Sequence, residues 1–258
     1  MKKIARISSP DCLDNDTDAS RNRKISFYEK LRDKNGDIYP RWNTIGKDKN
    51  GISEIRKRLM EMSDACCAYC GDKLETGVME VDHYLPSGKF PYLAYCWDNL
   101  IPSCKCCNLS KSDFTPASLQ DKKIVEHIIS DTYEFDCIYD KKYLLTQIAR
   151  DDRLIDPTFD DPEEHLEFNP EFYFYEAKTE TGKITAKRFF NKHKEVAEKW
   201  EKISLFIRNL VCEGISEEII YDFIKLQGYE YICLKFYAYW LNEKQEGRID
   251  RDSQQMEI

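Results

Sequence analysis

The stretch CCAYCGDKLETGVMEVDHYLPSGKFPYLAYCWDNLIPSCKCCNLSKSD, residues 66–113, decides how this chain is read. It contains two C-x-x-C pairs, Cys67/Cys70 and Cys104/Cys107. Each pair can curl into a tight knuckle that points two thiolates at one ion. Two knuckles together supply the tetrahedral four-sulfur set that a structural Zn²⁺ prefers. Gly71, directly after the first knuckle, offers the permissive backbone such a turn often needs. Only this register gives a two-residue spacing on both sides, so Cys66 and Cys106 are spare thiols. A redox pair is the competing reading of a single C-x-x-C; two matched pairs favour metal. The 33 residues between the pairs exceed what a minimal zinc ribbon needs and leave room for a functional insert.

That insert carries Glu80-Val81-Asp82-His83-Tyr84-Leu85-Pro86. Asn99 follows 16 residues after His83, and Asn108 stands directly behind Cys107. A zinc site alone needs neither an Asp-His pair nor asparagines at these positions. Hydrolysis of a phosphodiester does need such groups. Oxygen ligands hold a hard divalent cation beside the phosphate, a neutral imidazole takes the proton of the attacking water, and the cation offsets charge on the phosphate oxygens.

The order C-x₂-C-G, V-D-H-x₂-P, N-L, C-x₂-C-N-x₂-K resembles the HNH nuclease family, whose fold is the ββα-metal finger. The resemblance implies that Asp82 and Asn108 give side-chain oxygens to one Mg²⁺ or Mn²⁺. It makes His83 the general base, Asn99 a brace for the loop that orients His83, and Lys111 a candidate phosphate contact. The products would be 5′-phosphate and 3′-hydroxyl ends. The familiar last His of the motif is here Asn108, an oxygen ligand that favours a hard ion over zinc. The flanks are similar to a narrower group, the Septu-type (PtuB) nuclease subunits of bacterial antiphage defence and their retron-associated relatives. The matching segments are Lys89-Phe90-Pro91-Tyr92-Leu93-Ala94-Tyr95, Trp97-Asp98-Asn99-Leu100, Leu154-Ile155-Asp156-Pro157 and Gly182-Lys183-Ile184-Thr185. Phe190-Asn191-Lys192 departs from the more usual Leu-Asn-Arg. This likeness implies an ABC-type ATPase partner of the PtuA kind, with a retron reverse transcriptase and its msDNA as a further possible partner. The substrate would be nucleic acid, DNA favoured and RNA open.

The rest of the chain sets bounds on this. It has 258 residues, enough for one large domain or two small ones. The net charge of −8 argues at first against a nucleic-acid substrate. It is unevenly spread, however: residues 1–58 are net +6 and the remaining 200 net −14. One face can therefore meet phosphates while another does not. No apolar run approaches a membrane span and the start has no signal-peptide core, so a cytoplasmic protein with reduced thiols is expected. The isolated Cys12, Cys96, Cys137, Cys212 and Cys233 are read as small core residues.

Helices are predicted over 21–34, 52–63, about 120–150, 182–211, 216–226 and 230–245, with a strand in the aromatic run FYFYEA. Trp200, Ile203, Phe206, Ile207 and Leu210 form one apolar stripe, and Tyr229, Ile232, Phe236, Tyr239 and Trp240 another. Asp156, Asp160, Asp161, Glu163 and Glu164 read as turn and helix-start residues. His127, His165 and His193 stand apart from the motif.

The expected fold class is α+β, mainly α-helical, with a ββα-metal finger embedded in a helical domain. The divisions are 1–63 (basic and helical), 64–115 (the finger) and 116–258 (mainly helical and partner-binding). The expected activity is that of an HNH endonuclease. The competing readings are a stand-alone restriction-like endonuclease and a zinc module that binds without cutting.

Overall fold

A computed structural model describes residues 1–13, 26–27, 29–30, 53–75, 77–90, 93–120, 148, 151–191 and 194–249. The helix predicted at about 120–150, together with His127, Cys137 and His193, lies outside the described residues. Of the helix predicted at 21–34, Ser26, Phe27, Glu29 and Lys30 are described and helical.

Helix α1 (Glu54–Met62) buries Ile55, Leu59 and Met62. These recur at three- and four-residue spacing and lie on one face. The chain then forms the first knuckle and enters β1 (Glu80–His83). β1 pairs antiparallel with β2 (Leu100–Ser103), with Asp82 opposite Ile101 and His83 opposite Leu100. All four residues of β2 are buried. Cys104 ends the strand and caps helix α2 (Lys105–Lys111), its sulfur accepting the Cys107 N–H at 3.4 Å. Two short strands followed by one helix, between Glu80 and Lys111, make the expected ββα element.

After α3 (Ala117–Gln120) and Asp151–Asp161 comes α4 (Pro162–His165), which Asp161 caps by accepting the Glu163 N–H. Asp160 forms a buried ion pair with Arg153, and Asp156 accepts from Thr158. The acidic run thus serves turns and a helix start. A second hairpin follows, β3 (Leu166–Asn169) with β4 (Phe174–Ala177). Only its second strand was legible in the aromatic run.

Three long helices complete the helical half: α6 (Lys194–Cys212), α7 (Glu217–Gln227) and α8 (Glu230–Gln245). Before them, α5 (Glu180–Phe189) packs against α2 and β4. The single helix predicted over 182–211 is therefore two. The break has a tertiary cause. Asn191 turns back to clamp the backbone of Tyr175 on β4, accepting its N–H at 3.3 Å and donating to its carbonyl at 3.0 Å. Gly182 on α5 is a place of close approach: a Cβ there would meet the His165 carbonyl oxygen at 2.1 Å.

The core between the second hairpin and the helices is aromatic. Phe168, Tyr175, Phe190, Trp200 and Phe236 meet at centroid distances of 4.6–5.8 Å, mostly edge to face. The second predicted stripe supplies part of it, with Tyr229, Ile232 and Phe236 buried. Phe206 of the first stripe is instead 45% exposed. No described helix is long and apolar enough to cross a membrane.

Candidate active site and metal centre

The two knuckles bring Cys67, Cys70, Cys104 and Cys107 together, with all four sulfurs within 4.8 Å of one another. Cys70 and Cys104 are 3.8 Å apart. Ligands at about 2.3 Å in a tetrahedron around zinc lie about 3.8 Å apart, so the sulfur cluster has the size a zinc ion requires. Cys66 and Cys106 stay outside it and are free thiols. Cys96 departs from the all-thiol expectation: it is disulfide-bonded.

The first knuckle is locked from the helical half. The Tyr229 N–H donates to the Gly71 carbonyl at 2.7 Å, and Asp72 pairs with Lys199 at 3.0 Å. Gly228 makes this possible. Its φ is +76°, and a Cβ would come within 3.0 Å of the Lys73 nitrogen and 3.1 Å of the Gly71 oxygen.

Between the knuckles, the strand and helix assemble a buried polar cluster. Asp82 is 4% exposed and Lys111 1%. The Lys111 ammonium lies 3.0 Å from Asp82 Oδ1 and also donates to the His83 carbonyl at 2.5 Å. The Tyr69 hydroxyl donates to Asp82 Oδ2 at 2.6 Å. Burial pushes the Asp82 carboxyl above its ordinary pKa, while Lys111 and Tyr69 pull it back. Tyr69 is itself held by stacking on Phe189 of α5, at a centroid distance of 4.3 Å.

Lys111 is thus a buried brace and not the surface phosphate contact it resembled. Tyr69 had no sequence signal beyond its place inside a knuckle.

His83 ends β1 and hydrogen-bonds through Nε2 to the Ala94 carbonyl at 3.0 Å. A carbonyl only accepts, so Nε2 carries the proton and Nδ1 carries the basic lone pair. Burial, reinforced by repulsion from Lys111, lowers the His83 pKa to about 4. The imidazole is therefore neutral at pH 7, the form a base needs.

Asn99 holds the loop that supplies this carbonyl. Its side chain accepts from the Leu85 N–H at 2.8 Å and donates to the carbonyls of Leu85 at 2.9 Å and Leu93 at 3.3 Å. The last contact is one residue before Ala94.

Asn108, in the middle of α2, donates through Nδ2 to Glu80 at 3.3 Å. That bond fixes the amide orientation and leaves Oδ1 as its acceptor end. Glu80 has no place in the motif, although its position two residues before Asp82 puts both on one face of β1. Asp82 and Asn108 Oδ1 are oxygen donors of the kind that suits a hard cation. Both Asp82 oxygens already accept one hydrogen bond, yet a carboxylate offers about four acceptor positions, so capacity for a metal is left.

Residues 67–114 match the family model described as HNH endonuclease. The Septu protein PtuB of Bacillus thuringiensis is 46% identical over 63 residues, 24% of this chain and 24% of that protein. The matched stretch is thus about a quarter of that relative's length. No solved structure matches significantly. With the motif residues, the ββα order and the family match all falling on the same 48 positions, the chain carries an HNH endonuclease domain at residues 67–114.

Proposed function

We propose that this chain is the nuclease subunit of a bacterial antiphage system and hydrolyses phosphodiester bonds, with DNA as the favoured substrate. The observation that carries the reading is the fixed tautomer of His83, held by Ala94 beside the Asp82–Lys111 pair. Asp82 and Asn108 would hold a Mg²⁺ or Mn²⁺ ion, which when bound supplies positive charge to the phosphate oxygens. His83 Nδ1 takes the proton of water as the water oxygen attacks phosphorus. The bond to the 3′ oxygen breaks, that oxygen takes a proton from solvent, and a 5′-phosphate and a 3′-hydroxyl remain. Asn99 holds the imidazole in place through its loop, and Glu80 orients Asn108. The four cysteines would hold a structural Zn²⁺ that fixes α2, and with it Asn108, relative to β1.

The likeness to the Septu protein supports a second component, and an ABC-type ATPase of the PtuA kind is the proposed partner. The test incubates plasmid DNA and single-stranded RNA with Mg²⁺ or Mn²⁺, with and without that ATPase. DNA cleavage by wild type should fall by about 10²–10⁴-fold in His83→Ala, as for loss of a general base, with zinc content and melting temperature retained. Cutting by His83→Ala at the wild-type rate would sink the assignment.

A further inference from the structure

Helix α7 has two apolar faces and uses one of them. Ile220 and Ile224 face the core and are 1% exposed. In the adjacent stripe Ile219 and Leu226 point outward, 59% and 77% exposed, and Phe223 between them is partly buried. Phe223 stacks against Phe206 of α6 at a centroid distance of 4.5 Å, so the stripe continues onto the neighbouring helix. Exposed apolar side chains grouped this way mark an interaction site, whereas single ones do not.

The surrounding charge selects the occupant. From Asn209 to Gln227 the chain has four acidic residues (Glu213, Glu217, Glu218 and Asp222) against one basic residue, Lys225, which lies 3.8 Å from Asp222. All four are exposed. A second copy meeting this strip face to face would set one net-acidic surface against another. Phosphates of a nucleic acid and anionic lipids are repelled by the same rim. An amphipathic helix with an apolar stripe and flanking Lys or Arg matches both the shape and the charge.

We infer that the α6–α7 strip is the docking site for an apolar-basic helix of the partner protein. This rests on the reading of the chain as one subunit of a two-component system. The docked helix would sit on α7, which leads directly into the Gly228–Tyr229 turn bonded to the first zinc knuckle.

The test uses the full chain, with an ABC-type ATPase of the PtuA kind as the probe. Affinity is measured for wild type, for Ile219→Lys/Leu226→Lys, and for Phe172→Lys. Phe172 is a control, 64% exposed on the turn of the second hairpin and off the strip. The double variant should bind at least about 30-fold more weakly with an unchanged melting temperature, the effect of losing one interface hot spot. Phe172→Lys should bind as wild type does. Glu218→Lys should weaken binding at low salt and flatten its salt dependence. Equal affinity of wild type and the double variant overturns the docking site and leaves the two-component reading standing. No binding by wild type overturns that reading and the docking site with it. Self-association of the chain that the double variant abolishes assigns the strip to a second copy and likewise overturns the proposal.

Discussion

The finger and the α6–α7 face treat their side chains in opposite ways. In the finger, the charges of Asp82 and Lys111 are drawn inside and given partners: Tyr69 and Lys111 on the carboxylate, Asp82 and the His83 carbonyl on the ammonium. On α7, apolar side chains that could be buried are left out, with carboxylates around them. Burying a charge is costly unless it is paired and hydrogen-bonded. Exposing Leu226 and Ile219 forgoes burial that would stabilise the fold. Each region departs from the cheapest arrangement of its own residues, which marks both as places where requirements beyond stability shape the surface. The finger fixes a catalytic geometry internally, and the strip is completed by something external.

The comparison breaks most decisively at the cysteines. Structural zinc in small fingers contributes about 10–16 kcal/mol of apparent binding free energy, coupled to folding. Cys104→Ser should lose the bound zinc and unfold the 67–114 region, seen as loss of metal by elemental analysis and a large fall in melting temperature. Intact zinc content with an unchanged melting temperature would exclude the four-sulfur site.

Next in size is Lys111→Met. It leaves the Asp82 carboxylate buried with its cation removed, which costs about 3–5 kcal/mol in chemical denaturation. If Lys111 were the phosphate contact it resembles in sequence, stability would hold and only activity would fall. Smaller again is Glu80→Ala, which frees the Asn108 amide to rotate. Losing an outer partner of a metal ligand lowers metal affinity or activity by about 10–100-fold. Titration of Mn²⁺ against activity should show the higher metal requirement. Wild-type metal dependence in this variant would remove Glu80 from the site.

These effects also show what could be read from the sequence. The cysteine quartet was legible because ligand spacing is local and set by the ion. His83, Asn99 and Asn108 stood out in sequence as one ordered pattern, and they fall on β1, on the turn before β2 and on α2. Tyr69 and Lys111 were not, because their roles depend on distant partners. Tyr69 is aimed at Asp82 by Phe189, which is 120 positions away, and Lys111 reaches inward because α2 lies across β1. A basic residue behind the motif looks the same in sequence whether it faces phosphate or core. Phe206 failed in the reverse sense. Helical periodicity placed it beside Ile207 on one apolar stripe, but periodicity gives the width of an apolar arc and not how much of it a neighbour covers. The break after Phe189 was hidden for a similar reason, since its cause is Asn191 reaching β4.

The smallest expected effect is the sharpest check on the comparison. Leu226 is 77% exposed in the last turn of α7. Leu and Lys have similar helix propensities, and a cation near a helix C-terminus is mildly favourable. Leu226→Lys should therefore change the stability of the isolated chain by no more than about 0.5 kcal/mol, the range of ordinary surface substitutions. Denaturant titration of wild type and variant side by side measures this. A loss of 2 kcal/mol or so would mean that Leu226 is covered in the isolated chain, because only buried apolar atoms carry costs of that size. In that case the strip belongs to the core and the contrast between the two regions disappears. A null effect on stability, set beside the large cost of Lys111→Met, keeps the contrast: one region holds its charges for its own architecture, and the other holds its apolar side chains for a surface the chain does not contain.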